Sequence, residues 1–143
     1  MGKLKLKYDQ LTSLLNRLNE GVLDFNQFEK FLCGADRNRT YRTYRDSLIQ
    51  RFEFNVDLFW KYVKRYLEEE IKLNIPVGGP KPTIREACRA KLITEQDSEK
   101  IIKMIDHRNM SSHIYKEEIA DQIAEKISGY YDLIKKYVEK LSP

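Results

Sequence analysis

The chain has 143 residues, 34% of them charged, a formal net charge of +4 and a pI near 9.0. A mean hydropathy of −0.63, with no run of about 18 apolar residues, excludes a membrane span and is what a cytoplasmic protein with a heavily charged surface shows. Two Cys and two His cannot supply clustered four-ligand zinc pairs, so Cys33 and Cys88 are expected as reduced thiols, with no metal and no cofactor.

The N-terminus, Met1-Gly2-Lys3-Leu4-Lys5-Leu6-Lys7, is basic but lacks the apolar stretch of a signal peptide, and Leu6 stands where a myristoylation signal needs Ser or Thr. Tyr8, Leu11, Leu15, Leu18, Val22, Phe25 and Leu32 recur every three or four residues, which predicts an amphipathic helix over about residues 4–33 closed by Gly34. Gly21 inside it costs about 1 kcal/mol against Ala and leaves room for a kink. After a polar connection, Ile49, Phe52, Val56, Phe59, Val63, Leu67 and Ile71 predict a second long helix over about 41–73, stopped by Asn74 and Pro76. Val77 to Pro82 reads as a Pro/Gly-rich loop.

Thr83 with Glu86 reads as a capping box opening a short helix to about Leu92. Thr94 with Asp97 opens another, through Ile101, Ile102 and Ile105 to near Arg108. A last helix begins after Tyr115 and carries Ile119, Ile123, Ile127, Ile134, Val138 and Leu141. No useful period-2 alternation appears. The expected fold is all-α: one domain over residues 1–143, an antiparallel up-and-down four-helix bundle with an additional short helix.

The chemistry concentrates in Asp106-His107-Arg108-Asn109-Met110-Ser111-Ser112-His113-Ile114-Tyr115. A guanidinium grips phosphate oxygens in a fork, and imidazole exchanges protons near neutral pH, so Arg beside His suits work on a phosphodiester. Five residues turn an ideal helix by about 140° beyond a full turn, so Arg108 and His113 would not share a face of one helix. Arg108 is therefore expected in the last turn of one helix and His113 in the following loop, folded back toward it. Ser and Asn between them compete for backbone hydrogen bonds and stop helices. His107 is expected toward solvent or a neighbouring helix. Arg37, Arg39, Arg42 and Arg45, with Tyr41 and Tyr44 between them, form the densest basic-aromatic segment and are candidate contacts to RNA or a partner. A solvated helix start with tyrosines packed on the bundle would use the same residues.

Arg108, His113 and Tyr115 form an R-x4-H-x-Y pattern that resembles the motif of HEPN-domain proteins, in particular the HepT-like toxins that pair with a minimal nucleotidyltransferase antitoxin. The segment Arg45 to Phe54, with Leu58, Trp60 and Tyr66-Leu67-Glu68, resembles the long second helix of the same family, a branch also labelled nucleotidyltransferase substrate-binding protein. The resemblance implies a homodimer acting as a metal-independent ribonuclease. His113 and Arg108 would be catalytic, with Asn109 and Ser112 supporting them. It also implies that the cognate nucleotidyltransferase silences the protein by adding AMP to Tyr115. The alternative is a non-catalytic substrate-binding subunit of that nucleotidyltransferase.

Overall fold

The computed structural model describes residues 2–31, 37–74 and 78–143, with side chains described for 2–28, 38–74 and 78–143. Its elements are α1 (Gly2–Phe31), α2 (Arg37–Glu69), α3 (Pro80–Arg89), α4 (Glu95–Met110), a 3₁₀ turn (Ser111–His113) and α5 (Glu117–Lys140). This is the expected all-α bundle, with α3 as the short extra helix.

Paired residues show the directions. Tyr62 of α2 packs on Tyr8 of α1, and Tyr41 of α2 packs on Phe28, so the two helices run antiparallel. Phe52 meets Tyr130 and Tyr62 reaches Leu141, so α2 and α5 run parallel. His107 meets Tyr130 while Asp97 meets Tyr137, so α4 opposes α5. α2 touches α1, α3, α4 and α5 and is the central element.

The apolar stripes fill the core. Leu11, Leu15, Leu18 and Val22 of α1 are buried, as are Ile49, Phe52, Val56, Phe59, Val63 and Leu67 of α2, Ile101 and Ile105 of α4, and Ile123, Ile127, Ile134 and Val138 of α5. Tyr8, Phe25, Ile102 and Ile119 pack at the margin. Gly21 does not break α1. A Cβ there would stand 3.2 Å from Arg51 Cδ and 3.3 Å from Leu48 Cδ1, so this glycine lets α2 approach closely. Arg51 then donates to the Arg17 carbonyl across the contact.

Expected boundaries move at both ends of α2 and at the start of the short helix. α2 begins at Arg37 and ends at Glu69, where Lys72 turns left-handed (φ 64°) and the Leu73 N–H folds back onto the Leu67 carbonyl. Ile71, expected in the core, is 38% exposed beyond that end. The short helix starts at Pro80 with Gly79 as its cap, not at Thr83. Proline lacks the N–H that a first helical turn leaves unpaired, so it starts a helix as readily as it ends one. Thr83 is instead a fully buried interior residue. Leu32, Cys33, Gly34 and Pro76 lie outside the described residues.

Candidate active site

The site is assembled where α4 ends against the middle of α2. Thr94 caps α4 as expected, its hydroxyl accepting the Asp97 N–H at 3.1 Å. Glu95 and Asp97 occupy the first turn and His107 and Arg108 the last, so both ends complement the helix dipole. The helix runs two residues past Arg108 before tightening into the 3₁₀ turn.

Arg108 is clamped by two acids of α2. Its Nε and Nη2 donate to the two carboxylate oxygens of Asp57, each at 3.1 Å. Its Nη1 donates to Glu53 at 2.9 Å and to Ser111 Oγ at 3.2 Å. The Ser111 hydroxyl lies 2.9 Å from Glu53 and 2.5 Å from the Arg108 carbonyl, and shares its single proton between them. Hydrogen bonding to Asp57 raises the guanidinium's already high pKa against the cost of burial, so the charge is permanent. Among the described residues, four of the five guanidinium N–H groups have partners, which leaves one on Nη2.

The next residues come to the surface. Ile114 packs against the core, and on either side of it His113 and Tyr115 are exposed, Tyr115 at 73%. Their rings meet edge to face at 6.0 Å, and the Lys116 ammonium stands over the tyrosine ring. Among the described residues no hydrogen bond joins Arg108 to His113. Asn109 is exposed, and among the described residues Ser112 donates to the Asn109 carbonyl alone, at 3.3 Å. Ser111, rather than these two, touches the guanidinium. His107 turns to α5, where its Nδ1 lies 2.5 Å from the Tyr130 hydroxyl.

The basic-aromatic segment divides. Arg39 and Arg42 are exposed; Arg37 lies in α2 with its side chain outside the described residues. Arg45, expected as an RNA or partner contact, is 1% exposed. Its Nη1 donates to Glu117 at 2.5 Å and Asp121 at 3.0 Å, and its Nε to Asp46 at 3.1 Å. Burial works to lower its pKa, but these carboxylates overcome that and raise it. Arg45 therefore ties α2 to α5 and has no face for an external phosphate. Tyr41 also binds Asp121, and burial followed by that bond pushes its pKa up to about 12. Tyr44 stays 40% exposed.

The sequence pattern does not mark Glu53, Asp57 or Ser111 as site residues. The signal for the acids was present: they stand one turn apart on a helix whose same stretch is otherwise core, and i,i+4 positions share a face. Nothing in the sequence said that this face meets Arg108.

The sequence model of the family described as "nucleotidyltransferase substrate binding protein like" matches residues 6–143. A Haemophilus influenzae protein named probable ribonuclease HepT is 36% identical over 129 residues, 82% of this chain and 87% of its own. A solved Haemophilus influenzae structure, described as the fold of a substrate-binding domain of a nucleotidyltransferase, is 28% identical with a TM-score of 0.80, covering 95% of this chain and 99% of that one. The tri-AMPylated HEPN toxin of Shewanella oneidensis, solved with its MNT antitoxin, is 18% identical with a TM-score of 0.71 over 98% and 97% of the two chains, a likeness of fold. No helix among the described residues is long and apolar enough to cross a membrane. With its R-x4-H-x-Y turn on this bundle, the chain belongs to the nucleotidyltransferase substrate-binding-protein-like family, the HepT-like branch of the HEPN proteins.

Proposed function

We propose that this protein is the toxin of a HEPN and minimal-nucleotidyltransferase pair, a metal-independent endoribonuclease that its partner silences by adding AMP to Tyr115. The observation that carries the reading is the exposed turn. A fixed guanidinium stands at the end of α4, and five residues on an exposed imidazole lies beside an exposed phenol. The ribose 2′-hydroxyl attacks the adjacent phosphorus, and the bond to the 5′-oxygen breaks. His113 takes the 2′-hydroxyl proton or returns one to the leaving 5′-oxygen. Arg108 holds the phosphate and offsets the charge that builds on it. The products are a 2′,3′-cyclic phosphate and a 5′-hydroxyl. Two copies of the chain place two such turns at one cleft. AMP on Tyr115 would set a bulky anion beside His113 and exclude the RNA backbone. The probable ribonuclease HepT of Haemophilus influenzae and the AMPylated Shewanella oneidensis toxin support this reading by likeness.

One observation favours the second reading, a non-catalytic substrate-binding subunit. The Glu53 and Asp57 carboxylates already occupy most of the guanidinium. An arginine so paired attracts a further phosphate less strongly.

Wild-type and His113→Ala proteins incubated with total tRNA and mRNA in EDTA separate the two. Fragments ending in cyclic phosphate with wild type, and none with the variant, establish the ribonuclease. If wild-type protein of unmodified intact mass leaves RNA whole, the substrate-binding reading replaces it.

A further inference from the structure

An arginine that binds phosphate grips it with one of the two edges of its fork, and at Arg108 both edges are taken. The side edge, Nε with Nη2, is spent on the two oxygens of Asp57, each at 3.1 Å. On the other edge, Nη1 serves Glu53 at 2.9 Å and Ser111 at 3.2 Å. The lone N–H left on Nη2 makes no fork. A carboxylate seated with two oxygens on two N–H groups has the shape and charge of the phosphate edge that the same fork would hold. One cation here also faces two carboxylates, so the three residues together are negative. A phosphodiester reaching the site meets a filled fork and a repelling field.

The two acids are not held alike. Glu53 also accepts the Ser111 hydroxyl, at 2.9 Å, and its side chain is 25% exposed. Asp57 is 39% exposed, and among the described residues the guanidinium is its whole set of side-chain partners. Asp57 is therefore the acid that can leave. A second cation lies on its own helix. Lys61 stands four residues further along α2, on the same face, with the acid on the N-terminal side, the order that favours such a pair. Lys61 is exposed, with its ammonium 5.9 Å from the Trp60 ring centroid, and among the described residues no ion pair engages it.

We propose that Asp57 is an autoinhibitory plug in the phosphate site of Arg108. At rest its carboxylate fills the fork. An RNA phosphate displaces it from Nε and Nη2, Asp57 turns to Lys61, and Glu53 with Ser111 keeps the guanidinium in place. The inference rests on the ribonuclease reading and gives that site a closed and an open state.

The probe is a short fluorescein-labelled RNA, 2′-O-methylated throughout so that it cannot be cleaved, titrated with full-length protein and read by anisotropy. Each protein is read below its own melting temperature. Asp57→Asn keeps the side chain's shape and should bind about fivefold more tightly than wild type, because the closed state no longer competes with the RNA. Glu53→Gln removes the same charge without freeing the side edge and should give no such gain. Lys61→Gln should weaken wild-type binding by about twofold, since the displaced carboxylate loses its new partner, and should change nothing in the Asp57→Asn background. No gain in Asp57→Asn, whether its binding is equal, weaker or absent, overturns the proposal, because the clamp then only holds Arg108 ready. An equal gain in Glu53→Gln overturns it in favour of charge alone. A Lys61→Gln effect that persists without Asp57 overturns it as well, because Lys61 then touches the RNA itself. Cleavage of the same RNA carrying its 2′-hydroxyls tests the ribonuclease reading separately. Tighter binding by Asp57→Asn with no cleavage by any of the proteins keeps the plug and removes the enzyme. Cleavage by wild type with no gain in Asp57→Asn removes the plug alone.

Discussion

Replacing Arg108 with Ala strands two carboxylates. In the folded protein the guanidinium donates twice to Asp57 and once to Glu53. Hydrogen bonds to charged groups contribute roughly 1.5–3 kcal/mol each where water is excluded. Here Arg108 is 28% exposed, Glu53 25% and Asp57 39%, so screening brings each carboxylate's share down toward the roughly 1 kcal/mol of a good surface pair. Arg108→Ala should therefore cost about 2 kcal/mol, of which about 1 kcal/mol couples to Asp57. For a chain of this length that lowers Tm by about 5–8 °C. Urea unfolding at pH 7 of wild type, Arg108→Ala, Asp57→Asn and the double variant measures the coupling directly. The double variant should be no less stable than Arg108→Ala, because its second change removes a stranded charge. A coupling energy below about 0.3 kcal/mol, the usual additivity error, would refute the reasoning. The guanidinium would then be solvated, and α2 would not be what orients it. Cleavage by Arg108 variants must accordingly be read at a temperature where they remain folded.

Arg45→Met should cost roughly 2–3 kcal/mol in the same unfolding assay, less than a fully buried pair because its carboxylate partners reach water; an unchanged midpoint would contradict the burial of Arg45. Thr94→Ala should cost about 1 kcal/mol through loss of the α4 cap, and Thr94→Ser should restore most of it. His107 is held below its ordinary pKa by burial first and Lys126 second, so the unfolded chain takes its proton at higher pH than the folded one. Stability should fall as pH drops from about 6.5 toward the lower folded value, and His107→Gln should flatten that slope. A wild-type profile identical to that of His107→Gln over this window would show that the imidazole does not contribute.

The helices were legible because burial leaves a periodic mark. Leu11 to Val22 and Ile49 to Leu67 repeat at the helical period, and those positions are the buried ones. The Thr94 cap was legible because its partner is three residues away. The start of α3 is not legible because Pro80 carries two opposite signals, chain-stopping and helix-starting, and only the packing of Thr83 and Ile84 into the core selects between them. Ile71 continues the stripe in sequence, but α2 ends at Glu69, two residues before it.

Charge gave no such mark. Arg39, Arg42 and Arg45 look alike along the chain, yet Arg45 is buried against Glu117 and Asp121 while the other two face solvent. That difference depends on residues more than seventy positions away. The same holds at the site. The turn with Arg108, His113 and Tyr115 is a local pattern, readable as such, and the exposure of His113 and Tyr115 follows from Ile114 anchoring between them. The clamp on Arg108 is a long-range pairing. Local spacing records which side chains can share a helix face, and only the packing of α2 against α4 decides that Glu53 and Asp57 face Arg108.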